Sequence, residues 1–314
     1  MVASRGSALA LTQSEGVARA LRDAHPGLEV TVVPIATRGD KDPRPFASIG
    51  DKGLFVAEVE QAVADGRADI AVHSAKDLTA HLAPDCSILA VPRRAPAHDV
   101  VVGSAGETGQ ERLGALPSGA VVGTSSMRRR ALLSEARPDV EAVELRGNLD
   151  TRLRKVADGE VDAAILAAAG LERLGVAGDT GAALDDGWWT PAPGQGALAI
   201  EARTDRVDLR ELLTPLNDPV AAAELACERA FSARLEGGCS VPLGCLARTS
   251  GARMTVSGYL GWPDGDRGLR DRISGPVSAA AELGVELADA IYAAGGRDIL
   301  DELRETDPPA PAAP

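Results

Sequence analysis

Short apolar runs that read as strands alternate along this chain with stretches of helical spacing, and that alternation constrains the fold more than any other feature. From Gly6 the apolar positions Ala8, Leu9, Leu11, Val17 and Leu21 fall at helical spacing and stop at His25-Pro26-Gly27, after which 28–36 reads as a strand. The helical pattern returns from Gly53 to Ala64, Asp65-Gly66 ends it, and 69–73 reads as a short buried strand with a polar loop beyond it. A second series starts near His98, with strands over 100–102, 120–122, 140–145 and 161–166 and helices over 126–135 and 149–157. Alternation of this kind implies parallel pairing, because a parallel neighbour is reached only through a crossover, usually a helix.

The run 197–202 is one more strand, and Leu216-Asn217-Asp218-Pro219 carries a helix start signal that opens a distinct region. The fold class expected is α/β, with two lobes built on mixed, mostly parallel sheets and a smaller C-terminal α+β domain. The first lobe takes 1–92 with 197–214, the second 98–190, and the C-terminal domain 215–304. Residues 305–314, rich in Pro and Ala, have too little to bury and are expected to be a disordered tail.

At 314 residues, 45% apolar but only 3% aromatic, the chain suits helices packed closely on strands. A net charge of -13 argues against nucleic acid and against an anionic membrane surface, since either needs a basic face. No apolar run approaches the roughly 18 residues of a membrane span, and Met1 to Arg5 carry no charged-then-apolar leader. Cys86, Cys227, Cys239 and Cys245 form no CxxC pair, and the four His residues have no ligand spacing, so neither a metal site nor a disulfide framework is expected. A cytoplasmic protein fits these features.

Three strands end in a small polar turn followed by an arginine-bearing helix. They are the opening Ser4-Arg5-Gly6-Ser7, the run Val122-Gly123-Thr124-Ser125-Ser126-Met127-Arg128-Arg129-Arg130, and Leu145-Arg146-Gly147-Asn148 followed by Arg152. A helix N-terminus has unpaired N–H groups and a positive dipole end, Ser or Asn caps it, and arginine adds a planar fork, so each turn is a candidate anion site. Arg128 and Arg129 are expected to point into the cleft and Arg130 away from it. Carboxylate and phosphate ligands both fit. The loop His73-Ser74-Ala75-Lys76-Asp77 brings Lys76 and Asp77 to the same region, and a carboxylate among cations can stabilise a cation formed on a substrate or simply pair with an arginine. In Leu235-Glu236-Gly237-Gly238-Cys239-Ser240 the two glycines leave a loop thiol accessible, whereas Cys227 fits the buried side of a helix.

Taken in order, Ser4 to Ala10, Thr37-Arg38-Gly39-Asp40, Lys52-Gly53-Leu54-Phe55, Asp69 to Asp77, Val122 to Arg129, Leu145 to Asn148, Pro193-Gly194-Gln195-Gly196 and Leu235 to Pro242 resemble the porphobilinogen deaminase (hydroxymethylbilane synthase) family. The resemblance implies two lobes like those of periplasmic binding proteins and a third domain carrying a dipyrromethane primer as a thioether on Cys239. It implies a cytoplasmic, monomeric transferase of porphyrin and haem biosynthesis that joins porphobilinogen units head to tail with loss of ammonia and releases hydroxymethylbilane. By motif matching Asp77 is the catalytic aspartate, and Arg5, Ser7, Lys76, Ser126, Arg128, Arg129, Arg146, Arg152 and Arg173 hold acetate and propionate groups. Ser48 and Thr79 depart from the family pattern.

Overall fold

A computed structural model describes residues 1–37, 56–176, 181–185, 187–237, 241–262, 265 and 267–306. In chain order the first lobe gives β1 (Val2–Arg5), α1 (Ala8–Ala24), β2 (Val32–Ile35), α2 (Ala57–Ala64), β3 (Ile70–Ser74) and β4 (Cys86–Ala90). The second gives β5 (Asp99–Val102), α3 (Gly109–Ala115), β6 (Val121–Gly123), α4 (Met127–Ala136), β7 (Glu141–Val143), α5 (Leu149–Ala157), β8 (Ala163–Ala167), α6 (Ala168–Arg173) and β9 (Ala182–Ala183). The chain then returns to the first sheet as β10 (Leu198–Arg203) and α7 (Val207–Leu213). It finishes with α8 (Pro219–Arg234), β11 (Leu243–Ser250), β12 (Arg253–Gly261), β13 (Gly268–Pro276), α9 (Ala280–Ile291) and α10 (Arg297–Thr306). The last helix includes Glu305 and Thr306, which composition alone assigned to the tail.

The two five-stranded sheets share one plan, β2-β1-β3-β10-β4 and β7-β6-β8-β5-β9. Three strands run parallel, an antiparallel strand follows, and the fifth pairs antiparallel to it, so four of the five point the same way. In each sheet the reversed strand, β10 or β5, is the one entered directly from the other lobe. This is the mixed, mostly parallel architecture expected. Apolar faces close both layers: Val17 and Leu21 of α1 pack with Ile70, Val72 and Ile200, and Leu132 and Leu133 of α4 pack with Val101, Val122 and Ile165. The C-terminal unit is an antiparallel β11-β12-β13 meander under α8 and α9, with Phe231, Met254, Val256, Leu287 and Ile291 in its core.

Two crossings join the lobes and touch each other, for Ala95 N donates to Gly196 O at 3.1 Å and Arg94 Nε donates to Gln195 O at 3.0 Å. Gly196 sits at φ +83°, and a Cβ there would collide with Ala95 O. Gly194, at φ +73°, lets the second crossing lie against the turn after β3, since a Cβ would stand 3.0 Å from Lys76 N. Glu228 of α8 is fully buried and accepts from Arg94 at 2.7 and 2.9 Å, from Gly194 N at 2.6 Å and from Ala247 N at 2.9 Å. One carboxylate thus ties both crossings to the C-terminal unit.

Candidate active site

The strand β3 leads into a single 3-10 turn, Ala75–Asp77, at the carboxyl end of the first sheet, where ligands of parallel sheets collect. Ser74 is anchored to α1 by paired hydrogen bonds with Gln13 at 3.0 and 3.2 Å, and Ala75 N donates to Ala197 O at 3.0 Å. Arg5 ends β1, and Ser7 caps α1 by accepting from Ala10 N at 3.3 Å. Arg5, Ser7, Gln13, Ser74 and Asp77 together line a cavity of about 60 Å³. Asp77 is half-buried, and among the described residues no hydrogen bond or ion pair holds its carboxylate.

The second lobe faces this turn with arginines. Ser126 caps α4, accepting from Arg129 N at 3.4 Å, and Asn148 caps α5, accepting from Thr151 N at 2.9 Å. Arg152, one turn into α5, donates through Nε to Gly147 O at 2.9 Å, while Arg146 pairs with Glu144 at 2.8 Å on a more open surface. Arg128 and Arg129 depart from expectation: both are buried, and their terminal nitrogens are engaged by protein acceptors rather than presented to the cleft. Arg128 donates to Asp99 at 2.8 Å and to Thr190 O at 2.9 Å; Arg129 donates to Asp99 at 2.7 Å and to Ile165 O at 3.0 Å. The physical reason is that a guanidinium withdrawn from water needs a carboxylate and carbonyls to replace its hydration. Arg130 is only partly covered. Arg173 is placed apart from Asp77, donating to Gly196 O at 2.7 Å and lining a larger, mostly apolar cavity of about 350 Å³ with Pro92 and Pro215.

Desolvation first, and neighbouring positive charge second, set the electrostatics of the cleft. The Lys76 side chain keeps contact with solvent on the cleft floor. Even so, desolvation, then the charges of Arg129 and Arg128, push its ammonium down to about 8 against the pull of Asp77 and Asp99. Arg152 is pushed down to about 10 by desolvation and then by Arg129, with Asp77 acting the other way. Burial works against the charge of Asp99, yet Arg128 and Arg129 hold its carboxyl well below the usual carboxylate range. The residues of the two lobes are therefore brought within electrostatic reach: Asp77 and Lys76 from one side, Arg129, Arg128 and Arg152 from the other.

Sequence reasoning missed the groups that hold these cations. Asp99 accepts four hydrogen bonds, the two from arginine plus Gln195 Nε2 at 2.8 Å and Trp189 Nε1 at 2.9 Å. Gln195 lies inside a quoted motif and offered a signal; Asp99 and Gln13 offered none. Cys239 lies outside the described residues, as do Ser48 and the motifs Arg38-Gly39-Asp40 and Lys52 to Phe55.

Comparison with known proteins decides the family. Residues 1–211 match the family model "Porphobilinogen deaminase, dipyromethane cofactor binding domain", and residues 222–293 match "Porphobilinogen deaminase, C-terminal domain". The chain belongs to the porphobilinogen deaminase family. It is 48% identical over 301 residues to the porphobilinogen deaminase of Roseiflexus sp. (strain RS-1), covering 96% of this chain and 98% of that one. It is 43% identical over 304 residues to that of Methylobacillus flagellatus, covering 96% and 97%. The porphobilinogen deaminase match to the cofactor-binding domain spans every element that faces the cleft, from β1 to β10.

Proposed function

We propose that this chain joins four porphobilinogen molecules head to tail, with loss of ammonia at each addition, on a dipyrromethane primer attached to Cys239, and releases the linear tetrapyrrole hydroxymethylbilane. One observation carries the reading: a half-buried carboxylate, Asp77, shares a cleft with Lys76 of its own turn and with Arg152 of the second lobe, and Lys76 in turn feels Arg129 and Arg128. Such a cleft is short of negative charge, and a ligand bearing several carboxylates supplies it. The buried Nε atoms of Arg128 and Arg129 have no partner among the described residues while their terminal nitrogens are held by Asp99 and backbone carbonyls, so the pair offers a bound dipyrromethane positive charge from behind the cleft.

When bound, the dipyrromethane supplies the nucleophilic pyrrole carbon to which an incoming unit is joined. Lys76, Arg5, Arg146 and Arg152 receive acetate and propionate groups, each charge-assisted hydrogen bond contributing about 1.5 to 3 kcal/mol. Ser7 and Ser126 shape the helix N-termini beside them. Asp77 accepts from a pyrrole N–H and stabilises the positive charge that develops as ammonia departs, an effect of roughly 3 to 4 kcal/mol for one well-placed group. Arg128 and Arg129 are fixed by Asp99 and set the positive potential at the rear of the cleft. Arg173, at the end of α6 and bonded to Gly196 O of the second crossing, acts on the lengthening product through the lobe orientation. We propose the division into lobes 1–92 with 197–214 and 98–190 and a domain 215–304, and the presence of three separate sheets supports it. We further propose a cytoplasmic monomer; no helix among the described residues is long and apolar enough to cross a membrane.

Incubation of the purified protein with porphobilinogen, followed by quantitation of ammonia and linear tetrapyrrole, tests the reading. Intact-mass measurement beside Cys239→Ser tests the anchor: an excess of two linked pyrroles is expected on the wild-type chain and none on the variant. An active protein with the bare-chain mass would sink the covalent attachment.

A further inference from the structure

Behind the Lys76–Asp77 turn, on the face of the first sheet that packs against α2, lies a polar cluster that this chemistry does not use. His73 of β3 and Glu201 of β10 approach at 3.0 Å between Nε2 and Oε2, with side chains only 4% and 0% exposed, an ion-pair contact whose geometry makes no hydrogen bond, since His73 Nε2 and both Glu201 oxygens have no hydrogen-bond partner among the described residues. Strand register sets Ala199 opposite His73 and Glu201 opposite Ala71, so the pair spans the two strands diagonally on one face, within reach of long side chains. On its other edge β10 is irregular: Ile200 pairs with Ala90 and Glu201 with Ile88, leaving Leu89 as an extra residue in β4. Bulges of this kind re-aim a side chain beside a functional site.

Three further groups face Glu201. Glu60 reaches it from α2, and its carboxyl is pushed up to about 6 by desolvation and then by Glu201. Cys86, on β4, is close enough to Glu201 for burial and then the Glu201 charge to push its thiol up to about 12. Arg229 comes from α8, and its Nη2 donates at 3.2 Å to Ala80 O, just beyond the turn. Its charge is attracted by both Glu201 and Glu60. Buried ionic groups of this kind are weak evidence for stability, since desolvation offsets their attraction; the best-attested reason to keep one is that it fixes a register.

We propose that Glu201, with Glu60 beside it, is a buried anionic bracket that positions the Lys76–Asp77 turn from both ends, through His73 at the exit of β3 and through Arg229 at Ala80. Glu201 is then a positioning residue for Asp77, and the bracket rests on the reading of Asp77 given above. A one-residue slip of β3 against β10 would take His73 to the opposite face, so the diagonal pair locks the strand that delivers the turn to the strand that follows the second crossing.

The test uses the full-length primed protein and the variants Glu201→Ala and Glu201→Gln, with steady-state kinetics on porphobilinogen and hydrogen exchange of the amides over 74–80. Misplacement of a reacting group by an ångström lowers rates by up to about 100-fold, so Glu201→Ala is expected to lose at least about tenfold in kcat with KM changed less than about twofold. Exchange over 74–80 rises in the same variant. Glu201→Gln keeps the side-chain length and an oxygen beside His73 while removing the charge, restores part of kcat and leaves exchange at 74–76 near wild type. Should Glu201→Ala fail to fold, the partly exposed Arg229→Ala reads the other end, with raised exchange at 78–80 and a smaller loss of kcat. Wild-type kcat and unchanged exchange in Glu201→Ala, or in Arg229→Ala where that variant stands in, overturn the bracket. A wild-type protein inert towards porphobilinogen would overturn the functional reading instead, and the exchange measurement would still decide the bracket.

Discussion

Asp99 and Asp77 are two aspartates that both act on Lys76 within one cluster of cations, and they are treated in opposite ways. Asp99 is wholly buried and saturated by four donors from α4, the second crossing and Trp189. Asp77, half-buried, ends its turn and, among the described residues, has no hydrogen-bond partner. Both carboxylates feel cations, yet only Asp99 has been given the donors that complete its shell. The difference separates a carboxylate that builds the cleft from one reserved for what enters it.

The comparison breaks most visibly at Asp99. Asp99→Ala leaves two buried guanidiniums without their shared counter-ion and is expected to destabilise the fold by about 3 to 5 kcal/mol in chemical denaturation. A loss under 1 kcal/mol would mean that the arginines find other partners. Asp77→Ala should leave stability within about 0.5 kcal/mol of wild type, as expected for a half-exposed group without partners. Its turnover should fall by roughly 10² to 10³ while the primer mass is retained. Near-normal turnover would reduce Asp77 to a bystander.

The contrast between the aspartates also marks how far the sequence could be read. The turns after β1, β6 and β7 were legible because each couples a strand-like run to a cap residue and a cation within a few positions. So were α1, α4 and α5, whose Ser7, Ser126 and Asn148 caps stand at the expected places. Asp99 was not, because its four donors lie 29 to 96 residues away in sequence and its own neighbourhood, His98-Asp99-Val100, looks like an ordinary strand start. The reversal of β10 was hidden for the same reason: strand direction follows from the return of the chain between lobes, not from local pattern. Helix α3 was missed although a signal existed, the capping box in which Thr108 accepts from Glu111 N and Glu111 accepts from Thr108 N, each at 3.2 Å.

Lys76 sharpens the comparison from the cation side. Its ammonium, pushed down to about 8, is lost as pH rises through that value, and a substrate carboxylate then loses a partner. KM is expected to rise about five- to tenfold between pH 7 and 9, in line with one charge-assisted hydrogen bond. Lys76→Arg, whose guanidinium stays charged throughout, should flatten that rise while Asp77-dependent kcat follows its wild-type course. A wild-type KM that is constant across the range would place Lys76 outside the substrate contacts.

Glu60 gives the smallest effect and the cleanest sign. Its carboxyl, raised from 4.5 to about 6 by burial and then by Glu201, is favoured in its protonated form by the fold. Below the unfolded value both states carry the proton and the fold bears no penalty; as pH climbs through about 6 the folded protein must hold a carboxylate beside Glu201, and stability contributed by the protonated form is lost. Glu60→Gln should therefore match wild type at pH 4 and exceed it by about 1 kcal/mol at pH 8, a figure reduced to allow for solvent screening of a side chain only half buried. If Glu60→Gln is instead less stable at pH 8, the attraction of Arg229 outweighs the repulsion of Glu201. Glu60 would then belong, like Asp99, to the carboxylates that the fold satisfies rather than to those it leaves strained.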